Sequence, residues 1–352
     1  MNQARVDGGR ALNQIVLDNL DARSAARGQW VLPCVPAACS HYLRRLVNWF
    51  ADWGKPLRPD EIEQVRQTLQ ERLEEGFGQN AGAKLLIDFD LTVAATLQKN
   101  LALQITYSLP NLAAEYSQWA GHESRPLFGG HPDARVMRAV RDLSQTPPVK
   151  VLDVGAGDGR NAIPLARQGC QVDALELTPS LADRLQRTAE QQQVNLRVLV
   201  GDFFDNSVLL DRHQYRLVIL SGVASHFRHA AQLRQWLERL VELLAPHGES
   251  VFNIFLADPD YQPDALVRQL SQVAWASLFT RDELRQALTG LPLEIVGDDP
   301  VFEYEQTNLP AEAWPPTPWF ETWTLGRSIA PITDGRPPFQ MYWIAVRRRG
   351  QF

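Results

Sequence analysis

The sequence has few cysteines, no long apolar run and no cluster of basic residues that would suit a polyanion. Only three of its 352 residues are cysteines, Cys34, Cys39 and Cys170, and their spacing fits neither a disulfide framework nor a Cys/His metal site. No apolar run reaches the roughly 18 residues that a membrane helix needs. The N-terminal segment also lacks the apolar core of a secretory signal. We therefore expect a cytoplasmic protein without membrane insertion.

The charge balance argues against a nucleic-acid partner. The chain has 35 basic and 41 acidic residues, a formal net charge of −6. Its basic residues are dispersed, apart from the terminal run Arg347–Arg349, whereas phosphate neutralisation needs a clustered basic face. With 45% hydrophobic residues, the chain can bury a sizeable core, and its length is typical of about two domains.

The first 115 residues are predicted to form an all-α N-terminal domain with a lid, substrate-binding or dimerisation role. The strongest helical signal covers Asp60–Gly76, where apolar residues recur every three or four positions. Asp60 is a candidate cap and Gly76 a candidate end. A second apolar segment covers Ala83–Leu109. The periodic residues of the first segment are Ile62, Val65, Leu69 and Leu73.

From Lys150 onward, short β-branched runs alternate with amphipathic segments, a pattern typical of βαβ units and a parallel sheet. Helices are predicted at Asn161–Gln168, Leu181–Gln191, Ala230–Leu244 and Arg281–Leu288. Strands are predicted at Val149–Ala156, Gln171–Leu177, Leu196–Phe203, Tyr215–Gly222, Glu249–Ala257, Leu293–Val301 and Gln340–Arg347.

The segment Gln306–Phe339, between the last two predicted strands, is rich in Pro and Trp and too long for a simple hairpin. Long loops inside compact domains are usually functional or disordered. The aromatics Trp314, Trp319, Phe320 and Trp323 favour an ordered insert.

The segment Val151–Asn161 carries the clearest chemical motif, an apolar strand that runs into a glycine turn and then a helix. Gly155, Gly157 and Gly159 allow a tight turn, and the N–H groups of the following helix can receive an anionic group. Dinucleotide-binding turns share these features, but their third glycine is replaced here by Arg160. The turn by itself leaves a nucleotide-binding and a purely structural role open.

Two further acidic residues favour the nucleotide-binding role over the purely structural one. Glu176 ends the second strand, where a carboxylate can accept both hydroxyls of a ribose, and Asp202 follows the third strand, beside Phe203. With this combination the chain resembles the class I, Rossmann-like methyltransferases that use S-adenosylmethionine (SAM). Its Gly-Asp-Gly-Arg-Asn run is similar to that of the tellurite-resistance and thiopurine members. The resemblance covers residues 116–352, and its specific motifs lie within 150–227.

The resemblance implies a Rossmann-like, seven-stranded, mostly parallel sheet with helices on both faces and an antiparallel last strand. It implies that the glycine turn holds the methionine part of SAM, Glu176 the ribose, and Asp202 with Phe203 the adenine. The product would be S-adenosylhomocysteine (SAH). The residues expected to bind the cofactor are Asp153, Gly155, Ala156, Gly157, Asp158, Gly159, Asn161, Glu176, Leu177, Gly201, Asp202, Phe203, Ser221, Gly222 and Tyr116.

His226 follows the fourth strand, at the sheet edge where open α/β folds bind ligands. Its imidazole is a candidate catalytic base near neutral pH; a packing or orienting role is the alternative. His229 lies three residues later, but two histidines without an acidic third ligand make a weak metal site. We therefore expect no metal and treat His229 as a candidate substrate contact.

Aromatic residues supply the other candidate contacts with the methyl acceptor. Trp119, near Tyr116, would cover the donor or pack against the N-terminal region. The insert would line an acceptor pocket or form a homodimer surface, and the sequence leaves both open. The candidate residues in it are Tyr304, Trp319 and Trp323, with Glu303, Glu321 and Arg327 as further polar contacts.

The sequence therefore predicts a methyltransferase that acts on an O, N or C atom of a small, partly aromatic or apolar acceptor. The donor supplies the reactivity in such a transfer, so that the protein mainly positions the acceptor and excludes water. The alternatives are a protein methyltransferase, a non-catalytic SAM-binding partner subunit and a nicotinamide oxidoreductase. A nucleic-acid methyltransferase is disfavoured further because no Asn/Asp-Pro-Pro-aromatic tetrad follows the fourth strand.

Overall fold

A computed structural model describes residues 9–94, 96, 98–110, 129–143 and 148–350. The chain forms two compact units, residues 1–110 and 111–352. The domain boundary predicted at residue 115 lies outside the described residues. No helix in the described part is long and apolar enough to cross a membrane.

The first unit combines helices with a three-stranded antiparallel sheet. The strands are β1 (Ala26–Pro33), β2 (Lys84–Val93) and β3 (Lys99–Ser108), with β2 in the centre. The helices are α1 (Gly9–Arg23), α2 (Cys39–Asp52) and α3 (Pro59–Gln79), and a 3-10 turn covers Pro36–Ala38.

The all-α prediction for this region is wrong, because Ala83–Leu109 contains two strands rather than a helix. Alternate residues of β2 are buried, which is the period of a strand with one face against a core. Leu86 lies between two of the buried residues, at a position where a polar side chain would be expected. This apolar residue hides the alternation in the sequence. The buried residues of β2 are Leu85, Ile87, Phe89 and Leu91.

The predicted helix at Asp60–Gly76 is confirmed in α3, but it is longer at both ends. Pro59 occupies the first turn, and the Arg58 backbone N–H donates to Glu61 Oε2 at 2.8 Å, so Asp60 is not the cap. Gly76 does not end the helix. A Cβ at this position would lie 2.8 Å from Cys34 Sγ, so glycine is needed for close packing.

The second unit is built on a mixed sheet with strand order β10-β11-β8-β7-β4-β5-β6. All seven predicted strands are present, and β11 is antiparallel to both of its neighbours, as expected for the last strand. A two-residue strand, β9, pairs with β8 and was not predicted. The strands are β4 (Lys150–Val154), β5 (Gln171–Glu176), β6 (Arg197–Val200), β7 (Tyr215–Leu220), β8 (Leu244–Ala257), β9 (Leu278–Phe279), β10 (Leu293–Pro300) and β11 (Phe339–Arg348).

Helices cover both faces of this sheet, as in a Rossmann-like fold. Successive residues of a strand point to opposite faces of the sheet. Val151 therefore belongs to the hydrophobic core that includes α4, α5 and α6, and Leu152 to the core on the other face, which includes α7 and α9. The helices are α4 (Ala134–Leu143), α5 (Ala162–Arg167), α6 (Pro179–Gln191), α7 (Ala230–Leu243), α8 (Ala265–Val273), α9 (Arg281–Leu288), α10 (Val301–Asn308) and α11 (Phe320–Thr324).

The strand order reverses at β4, with β5 and β6 on one side and β7 and β8 on the other. Connections from β4 and β7 therefore leave in opposite directions, and a crevice opens at their carboxyl ends. This topology places the glycine turn after β4 at the mouth of the crevice.

The Pro/Trp-rich insert is ordered, as predicted. Its first residues form the end of α10, and it continues through a 3-10 turn at Ala311–Ala313 and through α11 to the segment that leads into β11. The Trp314 ring lies 5.3 Å from the Phe302 ring and 5.6 Å from the Phe320 ring, both edge to face. Phe320 is part of the hydrophobic core of the second unit, so these ring contacts attach the insert to that core.

Candidate functional site

A cavity of about 590 Å³ lies at the carboxyl ends of the parallel strands in the second unit. Its walls come from the loops after β4, β5, β6 and β7, from Trp275 before β9 and from the insert. Of the residues predicted to bind the cofactor, those that border it are Asp153, Gly155, Ala156, Gly157, Asp158, Asn161, Glu176, Leu177, Gly201, Asp202, Phe203, Ser221 and Gly222.

The glycine turn after β4 approaches its neighbours too closely for any side chain. The backbone N–H groups of Gly155 and Ala156 both donate to Leu175 O, at 2.8 and 3.1 Å. Gly155 has φ +71°, and a Cβ there would lie 2.3 Å from Val223 Cγ2. Gly159 does not border the cavity; its Cβ would lie 2.4 Å from Leu185 Cδ1, so this glycine permits helix packing instead.

Glu176 joins the ends of β4 and β5. Its buried carboxylate accepts the Gly157 N–H at Oε2 and the Thr178 N–H at Oε1, both at 2.8 Å. Two backbone donors thus fix the orientation of the carboxylate at the cavity wall. A carboxylate has about four acceptor positions, so it can still receive ligand hydroxyls.

The third strand end supplies an acid and an aromatic wall. Asp202 borders the cavity, and its Oδ1 accepts the Phe204 N–H at 2.9 Å. Phe203 is buried, with its ring 4.8 Å from that of Trp236. Trp236 also borders the cavity and was not singled out in the sequence, where it reads as one position of an amphipathic helix.

A buried polar cluster around Asp133 forms another part of the wall. The carboxylate pairs with Arg160 through Oδ1, and Oδ2 accepts from Asn161 Nδ2 at 2.9 Å and Ser221 Oγ at 2.8 Å. Arg160 also donates to Ser221 Oγ at 3.2 Å. Sequence reasoning missed Asp133, and it used Arg160 only to exclude a dinucleotide fingerprint.

Glu305, in α10 just before the insert, fixes the backbone that follows Asp133. Its carboxylate accepts the Ala134 N–H at 2.8 Å, the Arg135 N–H at 3.2 Å and the Trp343 indole N–H at 2.9 Å. Burial and the nearby Asp133 raise the pKa of Glu305. Because its partners lie far away in the sequence, no local signal identified it.

Asp153, inside β4, is 2% exposed and borders the cavity. Its burial raises the pKa of the carboxyl to about 7, against an opposing effect of the Arg160 charge. A cationic ligand nearby would favour the ionised form.

His226 lies in a short 3-10 turn after β7 and is exposed to the cavity. Protein surrounds the ring on its other sides, including Trp275 at 5.8 Å between ring centroids. This desolvation lowers the pKa of His226 to about 4, so the imidazole is neutral at physiological pH. A neutral imidazole can accept a hydrogen bond, but with this pKa it is a weak base.

The insert contributes two of its predicted tryptophans to the cavity. Trp319 and Trp323 both border it, with ring centroids 5.5 Å apart and an interplanar angle of 78°. The Trp323 indole N–H donates to Trp275 O at 3.1 Å, which joins the insert to the segment before β9. Thr317 also borders the cavity, and its hydroxyl has no hydrogen-bond partner in the described part of the chain.

Other predicted contacts are placed away from the cavity. The Arg135 guanidinium lies 5.7 Å from the centroid of the Tyr304 ring. The buried residue of this turn of α10 is its neighbour, Glu305. His229 is exposed just before α7. Tyr116 and Trp119 lie outside the described residues. Those that do not border the cavity are His229, Glu303, Tyr304, Glu321 and Arg327.

Arg327 and Glu321 pair with each other at 3.0 Å. Within the described ranges, no group of three or more His, Cys, Asp or Glu residues is arranged to hold a metal ion.

Residues 151–248 match the family model described as a methyltransferase domain. This part of the chain is thus a methyltransferase domain, of an enzyme class that uses SAM as its methyl donor. The match begins at β4 and ends early in β8, so it contains the glycine turn, Glu176, Asp202 and His226.

Curated relatives match over the same part of the fold. A protein-L-isoaspartate O-methyltransferase from Gloeobacter violaceus is 38% identical over 90 residues, which cover 23% of this chain and 42% of that protein. A ribosomal RNA small subunit methyltransferase J from Aeromonas salmonicida is 28% identical over 149 residues, 39% of this chain and 59% of the relative. The chain thus spans about half the length of these relatives.

A solved structure of geranyl diphosphate C-methyltransferase from Streptomyces coelicolor shows 17% identity and a TM-score of 0.49. The match covers 68% of this chain and 100% of that one. The names of the two curated relatives specify acceptors as different as a protein and a ribosomal RNA.

Proposed function

We propose that this chain is a class I, SAM-dependent methyltransferase that transfers a methyl group to a small, partly aromatic or apolar molecule. The carrying observation is that three separate strand ends meet at one cavity. The glycine turn and Glu176 are joined there by a 2.8 Å hydrogen bond, and Asp202 borders the same space. The cavity volume falls within the about 300–1,000 Å³ typical of small-ligand sites.

The residues present fit the donor. The Gly155–Asp158 part of the turn, Asp153 and the Asp133 cluster would hold the methionine part of SAM. Glu176, fixed by two backbone N–H groups, would accept the ribose hydroxyls, and Asp202 with Phe203 would hold the adenine. SAM supplies a methyl group already activated by its sulfonium.

The protein's own contribution is to position the acceptor and exclude water. Trp275, Trp319 and Trp323 form an apolar wall on the insert side of the cavity, and His226 lies beside Trp275. Because a base with a pKa of about 4 gives little driving force at neutral pH, we assign His226 an orienting role. Its neutral nitrogen would accept a hydrogen bond from the acceptor.

The Gly157–Asn161 run further supports a relationship with the tellurite-resistance and thiopurine members. In this chain the last two residues of the run, Arg160 and Asn161, both bind the Asp133 carboxylate. By binding the same carboxylate, Arg160 and Asn161 would together fix the start of α5 beside the donor site.

Calorimetry with SAM, SAH and NAD tests the donor. We expect SAM and SAH to bind and NAD not to bind; tight binding of NAD with none of SAM contradicts the proposal. Incubation with radiolabelled SAM and a fractionated cell extract tests the acceptor class. Label in the small-molecule fraction supports the proposal, label in protein indicates a protein methyltransferase, and SAM binding without transfer indicates a non-catalytic subunit.

A further inference from the structure

The side chain of Asp133 does not play the part that its position before a helix predicts. Asp133 directly precedes α4, and its backbone oxygen accepts the Met137 N–H at 3.0 Å, the first bond of that helix. An aspartate at this position usually caps the helix by accepting an N–H of the first turn. Within the described residues, however, the Asp133 carboxylate accepts hydrogen bonds only from side chains. These side chains belong to Arg160, Asn161 and Ser221.

Glu305 caps α4 in its place, from a distant part of the chain. Its Oε2 accepts the Ala134 N–H at 2.8 Å and its Oε1 the Arg135 N–H at 3.2 Å, the first two N–H groups of α4. Such groups have no partner inside their own helix. The Glu305 side chain is buried, and the Trp343 indole N–H donates to its Oε1 at 2.9 Å. The carboxylate that caps α4 is thus fixed by both α10 and β11.

This cap leaves the Asp133 carboxylate available to the cavity wall. Asp133 borders the cavity together with its side-chain partners, whereas Glu305 does not. Without Glu305, two N–H groups at the start of α4 would lose their acceptor, and an unpaired buried donor is costly. The Asp133 carboxylate is the nearest one along the chain, and rotation toward its own helix would satisfy one of them. That rotation would break its bonds to Arg160 and Ser221.

We propose that Glu305 is a positioning residue for the donor site: it caps α4 in place of Asp133 and thereby keeps the Asp133 carboxylate in the cavity wall. This role rests on the proposed methyltransferase function, which assigns that part of the wall to the methionine part of SAM. Because Glu305 does not border the cavity, its effect on the donor passes through Asp133.

The variant Glu305→Gln tests this role, with SAH affinity measured by calorimetry on the full chain. Glutamine keeps the size and one acceptor oxygen but places its NH₂ group against a backbone or indole N–H. We expect SAH affinity to fall about tenfold. Glu303→Gln, at an exposed position of the same helix, is the matched control and should bind SAH like wild type. An unchanged affinity of folded Glu305→Gln overturns the proposal, whereas failure of wild type to bind SAH contradicts the proposed function.

A double-variant cycle tests whether Glu305 acts through Asp133. In the presence of Asp133→Asn, Glu305→Gln should change SAH affinity by less than about twofold. Losses that multiply in the double variant, or an unchanged affinity of Asp133→Asn alone, overturn the proposal.

Leu284→Ala separates positioning from a general loss of stability. Leu284 is buried in the core on the sheet face that includes α7 and α9, so its truncation should lower the thermal unfolding midpoint. We expect this variant to bind SAH like wild type. If its SAH affinity falls as far as that of Glu305→Gln, the effect of Glu305 is one of stability alone and the proposal is wrong.

Discussion

The Gly157 N–H donates a 2.8 Å hydrogen bond to Glu176 Oε2, which links the turn after one strand to the acid that ends the next. Glu176 Oε1 also accepts the Thr178 N–H. The carboxylate is thus the shared support of two loops at the cavity. Its geometry is set before any ligand arrives, a form of preorganisation that reduces the ordering cost of binding.

Replacing Glu176 by Gln should weaken SAH binding. The amide retains one acceptor but places its NH₂ group against a backbone N–H, so a charge-assisted hydrogen bond is lost. Such bonds contribute about 1.5–3 kcal/mol, equivalent to roughly 10–100-fold in affinity. Calorimetry with SAH measures the change.

Glu190→Gln is the matched control for this variant. Glu190 is exposed on α6, where it bonds only with Gln186 among the contacts described. Its replacement should leave SAH affinity unchanged. Equal affinity of Glu176→Gln and wild type would show that the ribose assignment is misplaced.

Replacing Gly155 by Ala should impair both stability and donor binding. The new Cβ would lie 2.3 Å from Val223 Cγ2, and φ is +71°. We expect SAH affinity to fall at least about tenfold, because relief of the overlap must move the loop that borders the cavity. Calorimetry and urea unfolding measure the two effects.

Gly169→Ala separates backbone strain from steric overlap. Gly169 has φ +86°, but a Cβ there meets no atom within 4 Å. Its replacement should cost about 1–2 kcal/mol of stability without changing SAH affinity. If Gly155→Ala binds SAH as well as Gly169→Ala does, the glycine turn is not part of the donor site.

Asp153 should lower the stability of the ligand-free protein as pH rises from about 4 to about 7, against an opposite contribution from His226, whose lowered pKa makes stability rise with pH up to about 6.5. Burial raises the pKa of Asp153 from 3.8 to about 7. In that window the folded state keeps a proton that the unfolded chain has released, so its stabilising effect is present at low pH and lost as pH increases. Asp153→Asn cannot titrate, so stability should fall less, or rise more, between these pH values than it does in wild type.

Urea unfolding across the window tests this, with Asp142→Asn as the control. Asp142 is exposed on α4 and pairs with Arg138, so its replacement should preserve the slope. Burial also raises the pKa of Glu305. Glu305 therefore still contributes to the pH dependence of the unfolding free energy in both variants. A profile for Asp153→Asn as steep as that of wild type would contradict the prediction.

His226→Ala should lower turnover by less than about 100-fold, because loss of an orienting hydrogen bond costs less than loss of a general base. Steady-state kinetics, once an acceptor is identified, measure this, and SAH calorimetry should show unchanged donor affinity. A larger fall with donor affinity intact would identify His226 as the base. No change in turnover would assign it to packing.

The sequence predicted seven strands of the second unit and the four helices α5, α6, α7 and α9, but not α4, α8, α10, α11 or β9. Arg281–Leu288 is a helix over the predicted range, and the β5 strand differs from its prediction by one residue. Local signals sufficed because strand alternation, caps and the glycine turn are encoded by neighbouring residues. For the same reason the residues of the glycine turn, with Glu176 and Asp202, could be named as a group.

Only the tertiary structure decided which distant residues join this group. Asp133 bonds Ser221 across 88 positions, and Glu305 bonds Ala134 across 171. No local period encodes such pairs, because strand order and helix placement bring them together. The N-terminal sheet was missed for a related reason: β1 and β2 pair across more than 50 residues. Sequence therefore determined the donor motif, and the fold determined its buried support.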